Sequence, residues 1–261
     1  KGGGIVEEDL MRHLILNSIR MFRQQFFGYY GEIVLCCDTR HNWRKELFPF
    51  YKAGRKKAKI DSPVDWQHLY DCLNKVKDEI KEVFPYTVVS VDGAEADDII
   101  GVLCTVNKPN VILSSDKDFI QLQKHDFVDQ WNPFQRKYVK GDPHFSLHEK
   151  IVKGDPGDGI PNIKSIDDVF LSEGLRQSPI TSKKVQAWFE QDPKNYCNTE
   201  MLRNWHRNSQ LIDLEKCPEP IRLNITTNYQ KQVSDPNKRN KLFDYFVKYR
   251  LKNLMEHIGE F

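Results

Sequence analysis

Short apolar runs that stop at an acidic residue recur through the first half of this chain, and they narrow what it can fold into. EIVLCCD closes on Asp38, Tyr86–Val91 leads into GAEADDIIG at Gly93–Gly101, and VILSSD closes on Asp116. Continuous apolar runs of this length fit strands buried on both faces of a parallel sheet. Stretches of helical spacing separate them. Leu10–Phe22 carries Leu10, Met11, Leu14, Ile15, Ile19, Met21 and Phe22. Asp65–Val83 carries Trp66, Leu69, Leu73, Val76, Ile80 and Val83, and Ala96–Cys104 follows the acidic stretch. Further helices are expected at Trp43–Lys52, where Pro49 interrupts, at Phe119–Leu122 and at Leu147–Lys153, with a strand at Phe127–Trp131. The alternation over Ile33–Trp131 predicts an α/β fold with a mainly parallel central sheet flanked by helices. In such sheets functional groups gather at the carboxyl ends of the strands, the edge where Asp38, Glu95, Asp97 and Asp116 fall.

After Trp131 the pattern changes. GDPGDGIP at Gly154–Pro161 is a turn-rich loop with two more aspartates, and the rest reads as helices broken by Pro179, Pro193, Pro218, Pro220 and Pro236. The reading is an α/β domain over residues 1–142 and a mostly helical C-terminal domain over 143–261. KGGG at Lys1–Gly4 does not read as a strand. No apolar run is long enough to span a bilayer, and no signal peptide opens the chain. The six cysteines show no C-x-x-C spacing and the histidines no H-E-x-x-H, so a disulfide frame or a zinc site is not expected; the thiols read as reduced core residues of an intracellular protein.

Taken alone, Glu95, Asp97 and Asp98 favour helix capping, because acids in a first turn face the positive end of the helix dipole. Asp38, Glu95, Asp97, Asp116, Asp118, Asp155 and Asp158 together cannot share a pocket as bare anions, since like charges raise one another's pKa. Oxygen ligands without histidine or cysteine point to Mg²⁺, with Mn²⁺ able to substitute. So many carboxylates imply two ions, which can clamp the attacking and leaving oxygens of a phosphodiester. The D-x-D-x-D-G loop with its closing Glu that a calcium sensor needs is absent. Asp155 and Asp158 have a second reading as turn formers beside Pro156 and Gly157.

Net charge is only +2, yet between Arg40 and Lys59 eight basic residues face one acid, Glu46. Trp43, Phe48, Phe50 and Tyr51 interleave with them. A basic strip of this kind is either a solvated face or a nucleic-acid contact, and the aromatics favour the second. Residues 40–63 are expected to form a basic, partly helical arch over the site.

Five stretches in order carry a resemblance over nearly the whole chain: VLCCD to Asp38, FYKAGR at Phe50–Arg55, EADD at Glu95–Asp98, SSDKDF at Ser114–Phe119 and KGDPGDGIP at Lys153–Pro161. RHLILNSI at Arg12–Ile19 and the closing FVKYRLKNL…EF add to it. The chain resembles the flap-endonuclease or 5′-nuclease superfamily, whose fold is PIN-like, and within it the ribonuclease H branch of T-even-type bacteriophages. The resemblance implies a first metal site at Asp38, Glu95, Asp97 and Asp116 and a second at Asp118, Asp155 and Asp158, with Asp98 left to capping. It implies that Lys52 and Arg55 contact the scissile phosphate from the arch. Arg44, Lys56, Lys57, Lys153, Lys164, Lys183 and Lys184 are the expected nucleic-acid contacts. The family also opens with a strand that ends in a further metal-binding aspartate, and Lys1–Gly4 offers no such strand. Its duplex-binding helix–turn–helix carries a glycine pair, where IPNIKSIDDV here has Ser165 and Asp167. The potassium-assisted backbone grip of relatives is therefore not expected.

What the resemblance implies is a Mg²⁺-dependent 5′→3′ exonuclease and flap endonuclease acting on DNA and RNA–DNA duplexes with 5′ ends or flaps. Its place would be RNA-primer removal during lagging-strand phage replication in the cytoplasm of the infected bacterial host. The implied state is a monomer with no membrane partner, working beside a single-strand-binding protein and a sliding clamp. Two alternatives stay open: a catalytically impaired branched-DNA-binding protein, which the missing strand favours, and a PIN-type single-strand ribonuclease, against which the helical second domain and the arch count.

Overall fold

The computed structural model describes residues 7–106, 108–232 and 236–261, without the side chains of 56–58, 236 and 237. The expectation for Lys1–Gly4 lies outside the described residues, and those for Lys56 and Lys57 fall on side chains outside the description. In chain order the elements are α1 (Glu8–Tyr30), β1 (Val34–Cys36), α2 (Trp43–Leu47), α3 (Arg55–Ile60), α4 (Trp66–Val83), β2 (Thr87–Val89), α5 (Ala96–Leu103), β3 (Asn110–Leu113), β4 (Val128–Asn132) and β5 (Lys137–Tyr138). Helices then dominate: α6 (Pro143–Lys153), α7 (Ser182–Trp188), α8 (Thr199–Ile212), α9 (Glu219–Lys231), α10 (Leu242–Lys248) and α11 (Lys252–Met255). The Phe119–Leu122 helix is a 3-10 turn over Lys117–Lys124.

The α/β expectation holds, with one difference in the sheet. β1 pairs with β2 and β3 with β4, both parallel, while β5 closes antiparallel on β4. Among the described residues β1 and β3 do not pair with each other, so the strands form two small sheets. A groove of about 460 Å³ runs between them, lined by Val34–Cys36 on one side and Val111–Leu113 on the other and floored by Phe22 and Phe26.

Helix α1 runs eight residues past the expected end at Phe22. The polar Arg23–Gln25 stretch hides this in the sequence. The structure carries the helix on because Arg23 Nε donates to Glu32 Oε1 at 2.8 Å and Phe26 packs edge-on against Trp131. Arg12 is fully buried: its Nε donates to Glu79 Oε2 at 2.9 Å, and its guanidinium lies 3.9 Å from the centre of the Tyr249 ring. The hydroxyls of Tyr245 and Tyr249 also reach Glu79, at 2.7 and 2.8 Å, which fastens α10 and the turn after it to α1 and α4. Phe84, Phe246 and Phe261 pack with their rings edge-on or tilted in the same core, each burial worth about 1.5–3 kcal/mol. Among the described residues no helix is long and apolar enough to cross a membrane, and all six cysteines are free thiols.

Candidate active site

The strand ends deliver their acids to one place. Asp38 follows β1, and its Oδ1 accepts from the Ala96 N–H at 2.7 Å, at the start of α5. Glu95 is the N-cap of α5, with Asp97 in its first turn. Asp116 follows β3 and caps the 3-10 turn, its Oδ1 accepting from the Asp118 N–H at 3.0 Å. Asp155 and Asp158 lie in the loop after α6, where Asp155 Oδ1 accepts from the Gly157 N–H at 3.0 Å. All seven carboxylates that the sequence reading singled out line a single cavity of about 820 Å³. Lys52, Arg55, Lys150 and Lys153 line it too, and no histidine or cysteine is among its described lining residues.

The loop carrying Asp155 and Asp158 has little freedom. At Gly154, φ is +70° and a Cβ would stand 2.3 Å from the Ile160 carbonyl oxygen, so only glycine fits. The loop then meets the base of the arch, where the Lys52 N–H donates to the Asp158 carbonyl at 2.7 Å. Lys52 itself has φ +56°, a left-handed conformation that costs a non-glycine residue about 1–2 kcal/mol. This turn aims its side chain at the acids: Nζ donates to Glu95 Oε1 at 2.5 Å and lies 3.5 Å from Asp158 Oδ2. Arg55 Nη2 donates to Asp158 Oδ1, while about half of the Arg55 side chain stays open to solvent.

Two residues of the site escaped the sequence reading. The Tyr51 hydroxyl reaches both Glu95 Oε2, at 2.8 Å, and Asp158 Oδ2, at 2.9 Å. Its neighbour Lys52 in FYKAGR was the available signal. Lys150 Nζ donates to Asp118 Oδ1 and lies 2.9 Å from Asp155 Oδ2. Nothing in its local sequence sets it apart from Lys153.

Arg44 must be corrected. It was expected to contact nucleic acid, but it is 2% exposed. Its Nη1 and Nη2 donate to the two oxygens of Asp98 at 2.8 and 2.7 Å, and its Nε to the Leu211 carbonyl at 2.7 Å. A guanidinium so enclosed cannot reach a phosphate. The aromatics of the strip turn inward for the same reason: Trp43, Phe48 and Tyr51 are buried, with Trp43 Nε1 donating to Asp98 Oδ2 at 3.2 Å. The arch that remains open begins at Arg55. Asp98 caps as expected, accepting from the Glu95 N–H at 3.0 Å, and also holds Arg44.

Lys153 reaches Glu149 at 2.7 Å and Ser182 Oγ at 3.3 Å, next to Lys183 and Lys184, which are exposed at the start of α7. Lys164 is exposed in the segment after Pro161. That segment is pinned from α8. Asn204 Nδ2 donates to the carbonyls of Ile163 and Ser165 at 3.0 and 3.1 Å, and Asn208 Nδ2 to those of Ile151 and Pro161, both at 2.8 Å. Both asparagines are fully buried, so these amides hold the backbone in a fixed shape.

Charge within the cavity is unevenly balanced. Burial would raise Glu95, but Lys52, with Tyr51 and Arg44, holds its carboxyl below the usual range. Burial would also raise Asp155, which Lys150 and the Gly157 and Asp158 N–H groups keep low. Among the described residues Asp97 has no bonded partner of this kind: burial, then the charges of Glu95 and Asp116, push it up to about 7 against a smaller opposing pull from Lys52. Between the ordinary aspartate value and about 7 the folded chain keeps a proton that the unfolded chain has lost, so stability falls as pH rises through that window. In chelator the protein is expected to melt higher at about pH 6 than at about pH 8, and Asp97→Asn should remove part of that difference. Equal pH dependence of the two melts would show that Asp97 does not carry the surplus charge.

Among the described residues no three carboxylates, histidines or cysteines yet converge on a common metal point. Lys52 and Lys150 stand between the acids. An acid-lined cavity at the carboxyl edge of parallel strands, with basic side chains among its lining, has chemistry suited to a phosphodiester substrate, and known proteins show the family. Residues 11–150 match the family described as 5′-3′ exonuclease, N-terminal resolvase-like domain, and residues 141–261 match that described as T4 RNase H, C terminal. Ribonuclease H of Enterobacteria phage T4 is 36% identical over 269 aligned residues, covering 97% of this chain and 87% of that protein. The chain belongs to this 5′–3′ exonuclease family and is a nuclease of the exonuclease and flap-endonuclease type. Flap endonuclease Xni of Shewanella sp. (strain ANA-3) is 31% identical, and the chain spans 58% of its length. A bacteriophage T5 flap endonuclease solved as a pseudo-enzyme–product complex with DNA and metal ions shares the fold, with a TM-score of 0.57 at 17% identity over 83% of this chain and 90% of that one. A T5 5′-exonuclease with zinc bound does so with a TM-score of 0.55 at 16% identity, over 84% of this chain and 91% of that one.

Proposed function

We propose that the cavity is a two-metal centre that hydrolyses phosphodiesters at the 5′ ends and flaps of DNA and RNA–DNA duplexes. The observation that carries this reading is the convergence of seven carboxylates from four chain segments on one cavity that also holds Lys52 and Arg55. The donors fit a hard divalent cation such as Mg²⁺ or Mn²⁺, being oxygen alone, and Asp97, raised first by burial and then by Glu95 and Asp116, is an acid that a bound cation would return to its charged form. Asp38, Glu95, Asp97 and Asp116 would hold one ion, and Asp118, Asp155 and Asp158 the other. Ions held there would supply an activated water and charge neutralisation for the departing oxyanion.

The chain's own side chains do the rest. Arg55, half exposed at the cavity mouth, is placed to grip a phosphate through two N–H groups. Lys52 faces the charge that develops on the phosphoryl oxygens. Tyr51 holds Glu95 and Asp158 at a fixed separation. Lys153, Lys164, Lys183 and Lys184 border the loop pinned by α8 and would follow the duplex backbone. We place the end of the nuclease layer near Asp142, the N-cap of α6. A parallel strand seated in the groove between β1 and β3 would join the two sheets and bring a further carboxylate to the cavity. The similarity to a phage ribonuclease H supports a setting in an infected host, where the proposed role is that of a monomer removing RNA primers during DNA replication beside a single-strand-binding protein and a sliding clamp.

A 5′-labelled flapped duplex, all-DNA or with an RNA 5′ segment, tests the reading. Short labelled products should appear with Mg²⁺ and disappear with chelator. Binding that survives chelation without cleavage in Mg²⁺ would instead mark a branched-DNA-binding protein, and faster cutting of single-stranded RNA than of the flap a PIN-type ribonuclease.

A further inference from the structure

Among the described residues Lys150 is the only side chain that links Asp118 and Asp155, two acids that arrive from separate elements. Asp118 comes from the turn after β3 and Asp155 from the loop after α6, and the Lys150 ammonium, projecting from α6, bonds the first and lies 2.9 Å from the second. All three side chains are largely enclosed, with 26%, 23% and 21% exposure for Lys150, Asp118 and Asp155. A carboxylate oxygen that accepts from an ammonium offers it the same lone pairs that a divalent ion would take. An ion cannot ligate both acids while that ammonium lies between them, because two cations at such separation repel strongly. Lysine is suited to leave, having a flexible four-carbon stem and a point charge with no fixed bonding plane. Lys52 makes a comparable bridge from Glu95 to Asp158, but Tyr51 and Arg55 also hold those acids. Lys150 is therefore the cleaner case.

We propose that Lys150 is a resident counter-cation that a divalent metal must displace, and that its release frees an ammonium at the cavity for the substrate's phosphate. This rests on the reading of the cavity as a metal centre. Asp118 and Asp155 then stay neutralised through the whole cycle, by lysine before loading and by metal after it. Metal loading and substrate capture become coupled, since the charge that leaves the acids is the charge that meets the phosphate.

Calorimetric titration with Mn²⁺ alone tests the exchange in the wild type, Lys150→Met and Lys150→Arg. Lys150→Met is expected to bind Mn²⁺ about tenfold more tightly, about 1.4 kcal/mol, and to gain more melting temperature from Mn²⁺ than the wild type does. Lys150→Arg, which keeps the charge, should gain neither. Lysine acetylation of the wild type, read by mass spectrometry, avoids any folding defect of the variants. Labelling of Lys150 should rise several-fold on adding Mn²⁺ while exposed Lys164 stays constant. Mn²⁺ affinity unchanged or weakened in a folded Lys150→Met, or Lys150 equally protected with and without Mn²⁺, overturns the proposal alone. A wild type that takes up no Mn²⁺ overturns the metal reading and the proposal with it.

Discussion

Asp97→Asn is expected to lower flap cleavage by about three orders of magnitude, the scale of about 4 kcal/mol of lost transition-state stabilisation, while the protein stays folded. Among the described residues Asp97 forms no ion pair, and burial with the charges of Glu95 and Asp116 pushes its carboxyl up to about 7. An amide there removes a charge that the fold tolerates poorly without metal, so in chelator the variant should melt no lower than the wild type. Cleavage and stability thus move separately, which a general packing defect cannot produce. Single-turnover cleavage of a 5′-labelled flap, paired with melts in chelator, checks both halves. Activity near the wild-type level would remove Asp97 from the reacting centre. Glu95→Gln should also abolish cleavage, but it disturbs Lys52, Tyr51 and Arg44 together and so separates the two effects less well.

Arg44→Met is expected to cost about 3–5 kcal/mol of stability, because it leaves the Asp98 carboxylate buried without its partner. For a chain of this size that lowers the melting temperature by roughly 10 °C. The affinity of the folded protein for duplex should be unchanged, since Arg44 faces Asp98 and Leu211 and not solvent. Asp98→Asn should cost less, as an amide can still accept from the Glu95 N–H. Denaturant melts and duplex-binding isotherms of the two variants decide. A loss of duplex affinity without loss of stability in Arg44→Met would restore the surface role that the sequence alone implied.

The contrast between Asp97 and Arg44 shows what was legible in the chain. Asp38, Glu95, Asp97 and Asp116 could be read because their position follows from a local rule: each ends or follows an apolar run, and parallel strands bring such ends to one edge. Arg44 could not be read because its partners lie 54 and 167 residues away. The basic strip around it has the composition of a nucleic-acid contact, yet Trp43, Phe48 and Tyr51 point inward. Lys150 was missed for the same reason. A lysine near a helix end has an ordinary solvated reading, and only the packing of α6 beside the turn that carries Asp118 adds that second carboxylate to the sequence-local Asp155. β5 spans two exposed residues with no pattern to detect. The split between β1 and β3 is a matter of pairing, which apolar runs do not encode.

Crystals grown with Mn²⁺ and recorded at a wavelength where manganese scatters anomalously test the central claim most directly. Two anomalous peaks in the cavity are expected, one among Asp38, Glu95, Asp97 and Asp116 and the other among Asp118, Asp155 and Asp158. An empty cavity under saturating Mn²⁺, or manganese bound only elsewhere on the surface, would contradict a metal-dependent nuclease centre at these residues.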